Sequence, residues 1–331
     1  MNSRNIQIDV LKGFAIFIVV WGHCIQFLAD AKYDFFSNEI FKIIYTFHMP
    51  LFMVISGYLF YPALQKKSFV DIAGGKISQL ITPVFFWFAI ASLIFNNKIT
   101  IDSVTHTIVY GLWFIWTLYV ASVLIAYAYY LNKNLFIQIS IAIFAALLMF
   151  SDSDNISKIK FMMPYFIFGI ACHFIYPKIR NRLTVIAIAC TILWVASILY
   201  WKTDYYIYTT GMDSKVGAVT EQLINNAYRY IAGFLGVISV SFVVYRYVTA
   251  AWIQKPLAVM GRYTFTIYII QTFIFSNING AFNLNTTTNG FVYSLILTPS
   301  ISLIIIIFII LTSKLLEKND MTRQLLLGGR Q

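Results

Sequence analysis

The first long apolar segment of the chain carries two reactive residue types on one helical face. Lys12 and His23 are eleven residues apart, so on an α-helix they differ by about 20° around the axis and about 16 Å along it. A lysine can bind an anionic group, and an imidazole can move a proton near neutral pH. Asp9 precedes Lys12 by one turn and is placed to pair with it. The pattern favours an anion-binding end and a proton-transfer site on one helix, and the alternative is that Lys12 and Asp9 only mark its polar end.

Three further apolar segments place polar or aromatic residues at a similar depth to His23. His48 lies in one segment and Trp113 in another. Tyr268 and Gln271 share a helical face in the third. Interfacial anchoring accounts for single aromatic residues, but it accounts poorly for two imidazoles at one level. We therefore expect one polar site built from four helices.

The composition describes the elements that must position these residues. Of 331 residues, 60% are hydrophobic and 11% are charged, whereas soluble domains carry about 25% charged residues. The apolar residues form long runs, of which several approach the roughly 20 residues that cross a bilayer. This pattern excludes a soluble globular protein. It predicts an all-α, polytopic transmembrane helix bundle.

About ten spans are predicted, and no linker is long enough to separate a soluble domain. We expect residues 1–331 to form a single integral-membrane domain with no appended soluble domain. The spans are predicted at 10–29, 40–62, 79–96, 107–131, 135–150, 161–177, 183–201, 227–249, 257–276 and 291–314.

The net charge of +11 is explained mainly by topology. With both termini in the cytoplasm, the cytoplasmic segments hold 16 lysines and arginines and the outer segments hold seven. This bias follows the positive-inside rule and predicts an N-in, C-in orientation in the cell inner membrane. A nucleic-acid partner is not expected. A homo-oligomer is left open.

Few other patterns with chemical meaning remain. Lys76 and Arg262 join Lys12 as cations at cytoplasmic span ends, and Arg229 lies just inside the eighth span. No His or Cys pair has metal-site spacing, so we expect no metal. Cys24 adjoins His23, but neighbours on a helix point apart. The sequence predicts a helix-end position for His173.

Six motifs, taken in order, resemble those of the integral-membrane acyltransferase family 3, over nearly the whole chain. They are Asp9 to Gly13 followed by His23; Phe47 to Phe52 with Ser56-Gly57-Tyr58; Lys76 to Pro83; Leu112 to Ile115; Pro164 to Gly169; and Gly261 to Tyr268. Members transfer an acyl group, usually acetyl from cytoplasmic acetyl-CoA, to a hydroxyl of an extracytoplasmic or lipid-linked glycan. O-antigen, capsule and exopolysaccharide are such acceptors.

The resemblance implies a role for each candidate residue. His23 would be the catalytic imidazole, and we expect His48 to help it. Three cations would hold the CoA co-substrate: Lys12, Lys76 and Arg262. Four residues would bind the acceptor, with Arg229 orienting an acidic or phosphorylated group: Trp113, Arg229, Tyr268 and Gln271.

This sequence departs from the family pattern in three places, and two rival functions stay open. Lys12 stands where members often have Arg, Gln79 replaces one of two inner-loop arginines, and Gln271 stands where a His is frequent. Direct transfer and an acyl-histidine intermediate both fit His23. A polytopic exporter of a glycan or small molecule is the alternative function, and a membrane scaffold is the third.

Overall fold

The computed structural model describes residues 5–30, 32–95, 100–107, 111–148, 154–202, 219–278, 282, 284 and 290–329. Every regular element among these residues is helical, which confirms the all-α class. The helices are α1 Ile6–Phe27, α2 Glu39–Leu64, α3 Phe69–Lys76, α4 Thr82–Ile94, α5 Ile101–His106, α6 Trp113–Leu131, α7 Phe136–Leu148, α8 Asp154–Ile179, α9 Leu183–Leu199, α10 Val219–Tyr247, α11 Ala251–Arg262, α12 Thr264–Ile278, α13 Gly290–Val292, α14 Thr298–Leu316 and α15 Asp320–Leu327.

Several of these helices are long and apolar enough to cross a membrane. The described residues contain seven such stretches, or eight if α11 and α12, bent by 72°, count as one broken span. The difference from the ten predicted spans lies in three places. Helix α7 is short, α8 and α9 form one apolar stretch, and the ninth predicted span is the bent pair. The chain is a multi-pass membrane protein, and the number ten stays a prediction.

The chain divides into two compact units. The first unit contains α1, the start of α2, α4, α5 and α11–α15; the second contains the rest of α2, α3 and α6–α9 with most of α10. Their ranges are Met1–Tyr45, Ser78–Leu112 and Val243–Gln331 for the first, and Thr46–Ile77 and Trp113–Phe242 for the second.

Two glycines hold α1 and α11 in backbone contact within the first unit. A Cβ added to Gly13 would overlap the carbonyl oxygen of Leu257, and a Cβ added to Gly261 would overlap that of Asp9. Small residues at such crossings let helix backbones approach closely, which is how helices associate in lipid. The contact fixes the end of α1 that carries Lys12 against the end of α11.

Polar side chains tie α1 to the segment that begins α14. The Trp21 indole N–H donates to the Ser294 carbonyl at 2.9 Å. The Tyr293 hydroxyl donates to the Ile25 carbonyl at 2.9 Å, and Ser302 lies 3.2 Å from the Cys24 sulfur. Cys24 therefore faces α14, as its position beside His23 on a helix predicts. These bonds orient α1 about its own axis.

Prolines inside two helices of the second unit leave backbone carbonyls that neighbouring side chains satisfy. Pro62 has no N–H for the Tyr58 carbonyl one turn earlier, and His173 Nε2 lies 2.8 Å from that oxygen. The His173 ring also stacks on the Tyr58 ring, with centroids 4.1 Å apart. His173 thus lies inside α8 and not at a helix end, which corrects the sequence prediction. Such replacement bonds let prolines persist in membrane helices.

Candidate active site

Helix α1 is continuous from Ile6 to Phe27, so it carries Lys12 and His23 on one rigid element. Asn5 caps its N-terminus by accepting a bond from the Gln7 N–H at 3.0 Å. The helical rise separates Lys12 and His23 by about 16 Å. Lys12 Nζ lies 4.0 Å from Asp9 Oδ1, which is the expected pair.

The His23 imidazole is bound to the side chain of Gln271 on α12. His23 Nδ1 lies 2.7 Å from Gln271 Oε1, and Gln271 is completely buried. The Gln271 amide nitrogen lies 3.3 Å from the Tyr268 carbonyl and 3.1 Å from Thr272 Oγ1. A short chain of bonds within α12 therefore holds the glutamine that meets the histidine.

The neighbours of Gln271 decide which of its amide atoms faces His23. The Tyr268 carbonyl only accepts hydrogen bonds, and the Thr272 hydroxyl donates its proton to that carbonyl at 2.8 Å. Both groups therefore accept from the Gln271 NH₂, which leaves the amide oxygen toward His23. His23 must donate from Nδ1, so its proton is on Nδ1 and its lone pair is on Nε2.

Two phenylalanines frame the imidazole. The Phe27 and Phe275 rings both meet His23 edge to face, with centroid distances of 5.7 Å and 5.8 Å. The two rings also stack on each other at 5.6 Å. Within the part of the chain that the structure describes, His23 Nε2 makes no hydrogen bond. The arrangement presents a basic nitrogen in a fixed, apolar setting.

Two predicted cations flank the glycine contact between α1 and α11. Lys12 immediately precedes Gly13, and Arg262 immediately follows Gly261. The Lys12 side chain is 23% exposed, and Arg262 is exposed. The Thr264 hydroxyl donates to the Gly261 carbonyl at 2.8 Å where the chain bends into α12. The first unit therefore places two cations at one crossing, with Lys12 about three helical turns from His23 along α1.

The other predicted site residues belong to the second unit. His48 is buried in α2, and Lys76 Nζ lies 5.3 Å from the centre of the Phe60 ring. Trp113 begins α6, and Arg229 lies in the second half-buried face of α10. The structure thus brings His23, Tyr268 and Gln271 together, whereas the roles of these four residues stay predictions.

Contacts of Trp113 and Arg229 show the chemistry around them. The Lys158 ammonium group lies 5.7 Å from the centre of the Trp113 ring, a cation–π distance. Arg229 Nη1 donates to Asn226 Oδ1 at 3.2 Å. Both residues therefore lie in a cationic and aromatic setting, which suits a sugar ring or an anionic group.

The sequence reading missed the residues that hold His23 and Gln271. Phe27 follows His23 by four residues and Phe275 follows Gln271 by four, so each partner had an aromatic neighbour on its own helical face. Thr272 gave no signal, because a threonine in an apolar helix usually bonds only to its own backbone. Lys160, which is 2% exposed, also escaped notice as an outer-loop lysine.

No group of three or more His, Cys, Asp or Glu side chains that could hold a metal ion occurs within the described ranges. The candidate site is thus made of imidazole, amide, aromatic rings and cations. This set can bind an anionic donor and move a proton.

The sequence profile of the acyltransferase domain, characteristic of the acyltransferase 3 family, matches residues 5–316. The chain belongs to the acyltransferase 3 family. A nodulation protein NolL from Mesorhizobium japonicum is 27% identical over 296 residues, covering 83% of this chain and 77% of that protein. A nodulation protein NolL from Sinorhizobium fredii is 26% identical over 290 residues, covering 83% and 79%. No solved structure matches the chain.

Membership confirms the resemblance carried by the six motifs and identifies the protein as a membrane acyltransferase. The matched range includes every candidate residue from Lys12 to Gln271. A transferase needs an acyl donor, so the cations at the α1–α11 crossing and the oriented imidazole acquire a common context.

Proposed function

We propose that this acyltransferase moves an acetyl group from cytoplasmic acetyl-CoA to a hydroxyl of an extracytoplasmic or lipid-linked glycan. It would act in the cell inner membrane as one domain over residues 1–331, with ten spans and both termini in the cytoplasm. The bond between His23 and Gln271 carries the proposal, because it presents the imidazole in the one neutral form that leaves Nε2 basic.

The donor end of the site follows from charge. CoA carries phosphates, and Lys12 and Arg262 lie at the same helix crossing in the first unit. Charge-assisted bonds from lysine and arginine are the strong form of phosphate binding, and arginine adds a bidentate fork. We assign Lys76, in the second unit, the same partner. The extended pantetheine arm would then span the roughly three helical turns that separate Lys12 from His23.

His23 acts as the base in the proposed transfer. Its Nε2 takes the proton of the glycan hydroxyl as that oxygen attacks the thioester carbonyl. The C–S bond then breaks, and the proton passes from Nε2 to the departing CoA thiolate. The Nδ1–H stays bonded to Gln271 Oε1 throughout, so the ring does not turn. An acyl-histidine route would use the same Nε2 lone pair as the nucleophile.

The remaining residues are assigned to the acceptor side. We assign His48 to support the proton transfer. Trp113 and Tyr268 would form walls against a sugar ring, and Arg229 would orient the acceptor. Gln271 has two parts in this proposal, as the partner of His23 and as a boundary of the acceptor site.

Mass spectrometry of surface glycans tests the donor group and the acceptor together. A strain that lacks the gene would be compared with strains complemented by the wild-type chain or by His23→Ala. We expect the deletion and His23→Ala to lack an acetyl mass increment that the wild type restores. Glycans that are identical in all three strains would contradict glycan acetylation. A restored increment of another acyl mass would contradict the acetyl donor.

A further inference from the structure

Lys160 is a buried lysine of the second unit that the proposed proton transfer does not use. It lies on α8 and is only 2% exposed. A buried ammonium group is costly unless polar or anionic groups surround it. Ionisable residues inside membrane proteins for this reason mark ligand sites more often than structural ones.

A proline fixes the backbone position of Lys160. Pro164 provides no N–H for the Lys160 carbonyl one turn earlier, and the Tyr230 hydroxyl of α10 donates to that carbonyl at 3.1 Å. In the opposite direction, the Tyr165 hydroxyl of α8 donates to the Arg229 carbonyl at 3.3 Å. The two tyrosines therefore tie the backbones of Lys160 and Arg229 across one helix pair.

The Arg229 side chain lies on the face of α10 that meets α8. Gly233, one turn after Arg229, lies against the Tyr165 hydroxyl, and a Cβ there would overlap it. Side chains on a helix lean toward its N-terminus, and Arg229 Nη1 donates in that direction to Asn226. The Arg229 Nε atom is also buried.

Helices α8 and α10 advance in the same direction at this contact. Phe161 meets Tyr230 at 5.2 Å and Phe168 meets Phe234 at 5.3 Å between ring centres. The N-terminal side of Arg229 is thus the level of Lys160. The only acids on these two helices are Asp154 and Glu221, each in a first turn. The layer that holds the two cations is therefore electropositive.

We propose that Lys160 and Arg229 seat an oxyanion carried by the glycan acceptor, a phosphate or a carboxylate group. The inference rests on the proposed transfer to a glycan and narrows its acceptor to an anionic one. Arginine matches the two oxygens of such a group with its planar fork, and lysine adds a point charge. The oxyanion would come from the pyrophosphate of a lipid-linked sugar or from the carboxylate of an acidic sugar.

The test is calorimetric titration of the purified full-length protein in nanodiscs, with saturating CoA to occupy the other cations. Inorganic pyrophosphate, glucuronate and neutral glucose are the three probes. We expect one or both anions to bind and glucose not to bind. Lys160→Met and Arg229→Gln should each weaken anion binding about tenfold or more, which corresponds to loss of about 1.4 kcal/mol. Tighter binding of pyrophosphate assigns the lipid carrier, and tighter binding of glucuronate assigns an acidic sugar.

Lys133→Gln is the matched control in the same unit. The Lys133 ammonium group lies 6.0 Å from the Tyr129 ring centre, so the change also removes a lysine from an aromatic contact. It should leave anion binding unchanged. Lys160→Arg and Arg229→Lys keep the charge and should retain most of the affinity, which keeps the test valid if the neutral variants fail to fold.

The outcomes separate this inference from the proposed function. Anion binding that is absent in the wild type, or equal in wild type and neutral variants, overturns the seat. A lower melting temperature with unchanged affinity also overturns it, because Lys160 would then be only structural. Neither result touches acetyl transfer, which is measured separately. Absent acetyl transfer together with anion binding that depends on Lys160 would instead contradict the proposed function.

Discussion

His23 donates from Nδ1 to Gln271 Oε1 across 2.7 Å, and this bond leaves the Nε2 lone pair toward the candidate site. The direction of the bond is set by the Tyr268 carbonyl and the Thr272 hydroxyl, which both accept from the Gln271 amide. A neutral glutamine thus performs the orienting task that a carboxylate or a carbonyl performs for other catalytic histidines. The acyltransferase site depends on α12 as much as on α1.

Gln271→Leu should lower kcat about tenfold or more with little change in KM for acetyl-CoA. Leucine fills a similar volume but accepts no bond, so the imidazole loses its fixed tautomer and orientation. Gln271→His should retain much of the activity, because a neutral imidazole can accept from Nδ1–H. The matched control is Gln254→Leu, which removes another glutamine bonded to a carbonyl in the first unit. Equal kcat for wild type and Gln271→Leu would contradict the positioning role.

Lys12→Gln should raise KM for acetyl-CoA several-fold and leave kcat nearly unchanged, because the lysine contacts the donor and not the reacting atoms. Lys12→Arg should retain or improve the affinity through a bidentate fork. Lys42→Gln is a fair control, since Lys42 forms the same i, i+3 ion pair with Glu39 on α2. Steady-state kinetics at two salt concentrations measure the effect. An unchanged KM in Lys12→Gln would remove Lys12 from the donor site.

Gly13→Ala and Gly261→Ala should each destabilise the first unit by about 1–3 kcal/mol, because the new methyl groups overlap backbone oxygens across the helix crossing. Thermal unfolding in detergent is the measurement. Gly74→Ala is the control, because that helical glycine has open space around it. This control should be neutral or slightly stabilising. Equal melting temperatures for all three variants would show that α1 and α11 do not need the close contact.

His173→Phe should destabilise the second unit by about 1–3 kcal/mol by leaving the buried Tyr58 carbonyl without a donor. Pro62→Ala restores a backbone N–H to the same carbonyl. In the background of Pro62→Ala, the His173→Phe change should therefore cost less. A double-mutant cycle by thermal unfolding gives the coupling, and strictly additive effects would contradict the assigned bond.

The sequence predicted the helical class, the long apolar helices and the family, because these follow from runs of apolar residues and local motifs. It also placed Gln271 near the depth of His23 from helical spacing alone. It did not predict the tautomer of His23, since that depends on a hydrogen-bond chain through Thr272. The bend at Tyr263 joins α11 to α12 within one predicted span. No proline at that point signals it.

Buried cations were the harder case. Lys160 reads as a loop lysine, because the two lysines near the start of α8 interrupt the apolar pattern. Its burial comes from packing against α10, which a single sequence does not show. The same holds for His173, whose bond exists only because Pro62 lies on another helix.

The most direct test of the account is acetyl transfer by purified protein with His23 replaced. Labelled acetyl-CoA and the glycan fraction would be supplied to wild type, His23→Ala and His106→Ala in nanodiscs. His106 is an exposed histidine of the first unit and serves as the control. We expect His23→Ala to lose transfer about 100-fold or more, and His106→Ala to keep it. Full transfer by His23→Ala would contradict the catalytic assignment.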